Sequence, residues 1–90
     1  MLGVNLLNQA YLESELEGIG CLEITEELIE KMREVVPYYR ESEQFIIELA
    51  TVINNIRHKI YALFMVLENE DGELETSNVE VHSVGYKIIE

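Results

Sequence analysis

The chain has 90 residues, 18 acidic and six basic side chains, a formal net charge of −12 and 48% hydrophobic residues. A chain of this length makes one small acidic domain, 1–90, that buries roughly 60–65% of its unfolded surface. The charge argues against direct binding to nucleic acid or to anionic membranes, which require Lys and Arg opposite phosphate.

A lone cysteine, Cys21, excludes an internal disulfide framework and fits a reducing cytosol. The N-terminus lacks the apolar core of a secretory signal, because Asn5, Asn8 and Gln9 interrupt it. The apolar run Ile60–Leu67 is too short to span a bilayer. These features predict a soluble, cytoplasmic protein.

In chain order, a first helix is expected from Val4 or Asn5 to Glu17, burying Leu7, Ala10, Tyr11 and Leu16, with Gly18 as its stop. Cys21–Ile24 reads as an extended link. Thr25 then suits the N-cap of a second helix, with Glu26 and Glu27 in the first turn, where carboxylates favour the helix dipole. Ile24 and Ile29 are spaced for a hydrophobic staple, Leu28, Met32 and Val35 form the inward stripe, and Pro37 ends the helix.

The most regular stretch is 42–69. Ile46, Leu49, Ile53, Ile56, Ile60, Leu63 and Leu67 recur at alternating steps of three and four, a heptad seam. Capped by Ser42 and continued to Asn69, this third helix would extend about 40 Å. Asn54 and Asn55 interrupt it, either as register-setting buried amides or as solvated boundary residues. Every residue from Ile60 to Leu67 is apolar or aromatic, so the helix is wrapped on all sides or the stretch is a buried strand. The expected class is mainly α, with three helices and a short C-terminal β segment. The alternative is α+β with a C-terminal meander over 60–89, favoured by the turn residues Asn69-Glu70-Asp71-Gly72 and by Val79, Val81, Val84, Tyr86 and Ile88.

Chemistry-bearing residues are sparse. With Gly72 as the sixth position of a calcium loop, Leu67 and Asn78 fall on the first and twelfth, where acids are required. His58 lies between Arg57 and Lys59 on the expected polar flank of the helix. One cysteine and the histidines His58 and His82 do not complete a zinc site. No Gly-rich phosphate loop is present. No catalytic, cofactor-binding or metal-binding residues are assigned, and no enzymatic activity is expected.

The acidic clusters are the sharpest feature. Residues 1–30 hold seven acids and no base, and 68–90 hold seven acids and Lys87, whereas 31–67 are nearly neutral. Glu13, Glu15 and Glu17 form one candidate partner-binding patch, and Glu68, Glu70, Asp71, Glu73 and Glu75 the other. The leading expectation is an acidic protein-binding regulator or inhibitor of virus- or mobile-element type. In its sharpest form it is a nucleic-acid mimic that occupies the basic groove of a DNA- or RNA-handling protein. The alternative is a structural homo-oligomer whose acidity serves solubility. A homodimer is expected through Ile60, Leu63, Phe64 and Leu67.

Overall fold

The computed structural model describes residues 3–68 and 76–89. Its elements are β1 (Gly3–Leu6), α1 (Gln9–Ile19), α2 (Thr25–Val35), β2 (Gln44–Ile53), β3 (Ile56–Val66) and β4 (Thr76–Ile88). Short 3-10 turns cover Leu22–Ile24 and Val36–Tyr38. The strands form one curled mixed sheet in the order β1-β4-β3-β2, with β1 parallel to β4 and the other pairs antiparallel. The architecture is α+β, which overturns the mainly α, three-helix expectation.

The predicted helix over 42–69 is a β-hairpin. Phe45, Ile47, Leu49 and Ile53 are buried on β2, and His58, Ile60, Ala62, Phe64 and Val66 on β3. That is a period of two, and it buries one face of each strand. The heptad spacing samples both faces. Leu49, Ile53 and Ile60 point into the core, Ile46 and Ile56 are exposed, and Leu63 projects from the opposite face. β-branched Ile46, Ile47, Thr51, Val52, Ile53 and Ile56 lose side-chain freedom on a helix and pack well on a pleated surface. Asn54 and Asn55 settle the matter locally. Both have positive φ, 52° and 67°, the geometry of a type I′ two-residue turn. Residues 60–66 of the all-apolar run belong to the central strand β3, buried on one face and half-covered on the other, and Leu67 follows its end. Ser42, the expected helix cap, instead has φ 70° in the turn that starts β2.

The 60–89 meander shared the α+β class but began its sheet at residue 60, whereas the sheet includes β2 from Gln44 and β1 near the N-terminus. β4 alternates poorly in sequence because a bulge shifts its phase. Leu63 pairs with Ser83 and Phe64 with Val81, so His82 is the extra residue. Val79 and Val81 face the core before the bulge, and Val84 and Tyr86 lie on the same face after it.

Both helices cover that inner face, α1 over β4 and α2 over β2. α1 starts at Gln9 and buries Leu12 and Leu16, whereas Leu7, Ala10 and Tyr11 of the expected stripe are exposed. The N-terminal segment expected to begin the first helix is β1, whose Val4 and Leu6 pack on the core. Gly20, not Gly18, ends the helix. At φ 101° it donates to Leu16 O (2.9 Å) and Glu17 O (3.1 Å), while Cys21 N–H donates to Leu16 O (2.9 Å), the double closure of a Schellman motif. α2 begins at Thr25 and ends at the turn containing Pro37, as the sequence suggests. Thr25, however, directs its hydroxyl back to Leu22 O (2.6 Å), and Ile24 is the N-cap. Phe45 and Phe64 stack in the centre of the core with centroids 5.6 Å apart.

Candidate functional site

The helices and the sheet differ in charge. The span from Gln9 to Val35 carries eight carboxylates, on Glu13, Glu15, Glu17, Glu23, Glu26, Glu27, Glu30 and Glu34, against Lys31 and Arg33. Its only ion pair among the described residues is Arg33 Nη1–Glu30 Oε1 at 3.3 Å, an exposed i,i+3 contact. Leu28, Ile29 and Met32 turn inward, so Glu26, Glu27, Glu30 and Glu34 lie exposed on the solvent side of α2. They extend the acidic surface well beyond the first cluster. They were legible as helix formers but not as a surface, because their common face depends on which side of α2 meets the sheet.

The predicted patches are divided by the fold. Glu13 and Glu17 share one flank of α1, and Glu15 lies on the other flank beside Tyr11. A hydrogen bond to the Glu15 carboxylate, together with that group's charge, pushes the Tyr11 hydroxyl above the usual tyrosine range. Glu68 is exposed after β3 and accepts a hydrogen bond from Ser42 Oγ at 3.3 Å. Glu70, Asp71, Glu73 and Glu75 lie outside the described residues, as does the Gly72 turn. Of the expected self-association residues, Ile60 and Phe64 are fully buried in the core, and Leu63 and Leu67 are half-buried. The four do not form one surface.

The face of the sheet away from the helices carries Ile46, Glu48, Ala50 and Val52 from β2, and Arg57, Lys59, Tyr61, Leu63 and Met65 from β3. Lys87 of β4 pairs directly with Lys59. Three of the six basic residues thus gather here, and Lys59 Nζ reaches Glu48 Oε2 at 3.8 Å. Ile46 and Val52 are each 58% exposed.

The two margins of the sheet are finished differently. β1 has only four residues, but the Asn8 side chain continues its ladder. Asn8 Nδ2 donates to Val81 O (2.8 Å), and Val81 N–H donates to Asn8 Oδ1 (2.9 Å). Tyr11 Oη adds a long contact to His82 O at 3.5 Å. At the other margin β2 has no neighbouring strand among the described residues. A shallow groove lined by Lys31, Glu34, Val35, Ile46, Ile47 and Glu48 runs between α2 and this open strand.

His58 is not on a polar flank. It is buried on the inner face, with Nδ1 2.8 Å from Ile56 O and its ring 5.8 Å from that of Tyr86. Hydrogen bonding to a carbonyl requires the proton on Nδ1. Cys21 is buried, and desolvation together with the Glu23 charge pushes its thiol pKa up, away from nucleophilic thiolate. Among the described residues, no three His, Cys, Asp or Glu side chains gather where they could hold a metal ion. No helix of the described residues is long and apolar enough to cross a membrane.

No family model and no solved structure matches the chain. Two curated proteins of Bacillus subtilis (strain 168) do. The uncharacterized protein YdcS is 58% identical over 81 residues, spanning 89% of this chain and 91% of YdcS. The uncharacterized protein YdcT is 48% identical over 86 residues, spanning 96% of this chain and 98% of YdcT. Both are bacterial and neither description names an activity, so the inhibitor and virus- or phage-type expectations find no support; the helical description is overturned by the sheet. The match runs through almost the whole length of all three chains: this protein belongs to the family of YdcS and YdcT.

Proposed function

We propose that this protein is a non-enzymatic, cytoplasmic protein-binding module that docks its acidic helix layer against a basic protein surface. The carrying observation is the segregation of charge. Eight carboxylates project from the span containing α1 and α2, with only two cations beside them and one ion pair within the layer. Carboxylates left without internal partners steer a basic partner over distances comparable with the Debye length, about 8–10 Å near physiological salt. Rigid helices set the spacing of those charges before contact, so little ordering entropy is lost on binding. Such a surface can stand in for nucleic-acid phosphates, and a DNA- or RNA-handling protein is the partner class that fits it. A buried, protonated thiol is compatible with a reducing cytoplasm.

The test is capture of a basic partner from host extract by wild-type protein and by a Glu13→Lys, Glu26→Lys, Glu30→Lys, Glu34→Lys variant, at low and high salt, with duplex DNA as competitor. Capture should weaken with salt, be competed by DNA and disappear in the variant. Partner capture that survives the charge reversal would remove the proposal. A parallel reversal of Glu70, Asp71 and Glu73 to Lys reports whether the second acidic cluster contributes.

A further inference from the structure

The open margin of β2 fits a second copy of this chain. We propose that two copies pair antiparallel through β2 about a two-fold axis at Leu49, joining their sheets into one of eight strands. The proposal uses the open margin of the sheet, where Lys31 and Glu34 of α2 line the groove beside β2, and does not depend on the remaining carboxylates of the acidic layer.

The hydrogen-bonding pattern follows from the hairpin. In a two-residue turn the flanking pair, Ile53 and Ile56, is hydrogen-bonded, and bonded pairs recur every second residue. Phe45, Ile47, Leu49, Thr51 and Ile53 therefore direct their backbone groups to β3. Val66 N–H donating to Glu43 O at 3.0 Å continues the same phase. The N–H and C=O groups of Gln44, Ile46, Glu48, Ala50 and Val52 consequently point outward, away from any strand among the described residues.

A strand margin of this length is normally blunted by proline, lysine, a bulge or an overlying segment. β2 runs ten residues, contains no proline or lysine, and has one charged side chain, Glu48. The β1 margin is short and is sealed as far as His82 by Asn8 and Tyr11, while the remaining margin of β4 contains Gly85 and Lys87.

Self-pairing has few possible registers, and the side chains select one. Pairing outward-bonding residues with each other requires an even sum of residue numbers. Centring on Glu48 would place the two Glu48 carboxylates directly opposite one another, which is unfavourable. Centring on Leu49 places Glu48 opposite Ala50 of the second copy and Ile46 opposite its Val52. The two apolar side chains at 58% exposure thus cover each other, twice per interface. Lys59 is the neighbour of Ala50 in the sheet. Lys59 of the second copy then lies two strand spacings, about 10 Å, from Glu48, and can reach over the small Ala50 side chain toward it. Each Glu48, already 3.8 Å from its own Lys59, gains a second cation.

The test is sedimentation equilibrium of the full chain from about 5 to 500 µM, where a monomer–dimer equilibrium is expected. Ile46→Lys, at an exposed outward position, should weaken dimerisation about tenfold or more with an unchanged circular dichroism spectrum. Ala50→Pro removes one outward N–H and should do the same, and Ile46→Lys keeps the test valid if the proline variant fails to fold. Leu49→Cys in a Cys21→Ser background should form an intermolecular disulfide, since facing non-bonded residues bring Cα atoms to about 4.5 Å. Two conditions separate this proposal from the acidic-face reading. Added salt should strengthen the dimer by screening repulsion between two chains of net charge −12, and a reversal of Glu13, Glu26 and Glu30 to Lys, which spares the groove residue Glu34, should leave it intact. A chain monomeric throughout the range, a dimer that survives Ile46→Lys, or a dimer that Leu49→Cys does not crosslink would overturn it. A monomer that captures only foreign strands would also overturn it.

Discussion

Leu63 and Phe64 are neighbours in sequence with similar hydrophobicity, yet they belong to opposite faces of β3. Phe64 is fully buried and stacks on Phe45, whereas Leu63 is half-covered among Ile46, Tyr61 and Met65 on the uncovered face. The inner face is an apolar layer, with the buried His58 at its margin, closed by two helices, and the outer face mixes aliphatic groups with Arg57, Lys59 and Lys87. Stability is therefore concentrated on one side of the sheet, leaving the other side and the free edge of β2 available for contacts. The all-apolar run from Ile60 to Leu67 is accommodated because strand alternation divides its side chains between two environments.

The largest effect that sharpens this comparison is Phe64→Ala, expected to cost about 3–5 kcal/mol, while Leu63→Ala should cost about 1 kcal/mol or less in urea denaturation. Equal losses would mean that the outer face is buried in the protein under the conditions measured. Gly20→Ala comes next. At φ 101° a side chain is strained by about 1–2 kcal/mol, although the added carbon would meet Ile53 Cγ2 at an ordinary 3.4 Å. A smaller loss is expected at the β2–β3 turn, where Asn55→Ala should cost about 1 kcal/mol and Asn55→Gly should be neutral or stabilising.

Two smaller effects concern charge. The fold favours the neutral Cys21 thiol, raising its pKa above the unfolded value. That contribution is fully present below about pH 8.5 and is lost as pH rises through the higher folded value. Wild type should thus lose more stability than Cys21→Ala between neutral pH and pH values above the ordinary thiol range, measured by paired denaturation curves. Last, reversing Glu13 and Glu17 to Lys should change stability by no more than about 0.5 kcal/mol, because both are surface groups of α1. A large loss there would make the acidic layer structural and count against its role in docking.

Parts of this arrangement were legible in the chain itself. α2 could be placed because Glu26 and Glu27 mark its first turn, Leu28 and Met32 its buried stripe, and Pro37 its end, all signals acting within one or two turns. The β2–β3 turn was also written locally, since Asn54-Asn55 supplies two residues tolerant of positive φ between β-branched runs. The heptad spacing runs through this turn because aliphatic residues at most positions satisfy periods of 3.5 and two alike. The bulge at His82 was visible only as a change of phase between Val81 and Val84.

Sequence alone determined the charge, the lone thiol, the second helix and the lack of any spacing suited to a phosphate loop or calcium loop. Tertiary structure decided the rest. The pairing of β1 with β4 joins segments more than seventy residues apart, and no local propensity encodes that contact. Likewise, the phase of Gln44–Ile53 is set by which face receives α2. That choice puts Phe45, Ile47 and Leu49 in the core and leaves Ile46, Glu48, Ala50 and Val52 on the outer face, at the free edge of the sheet.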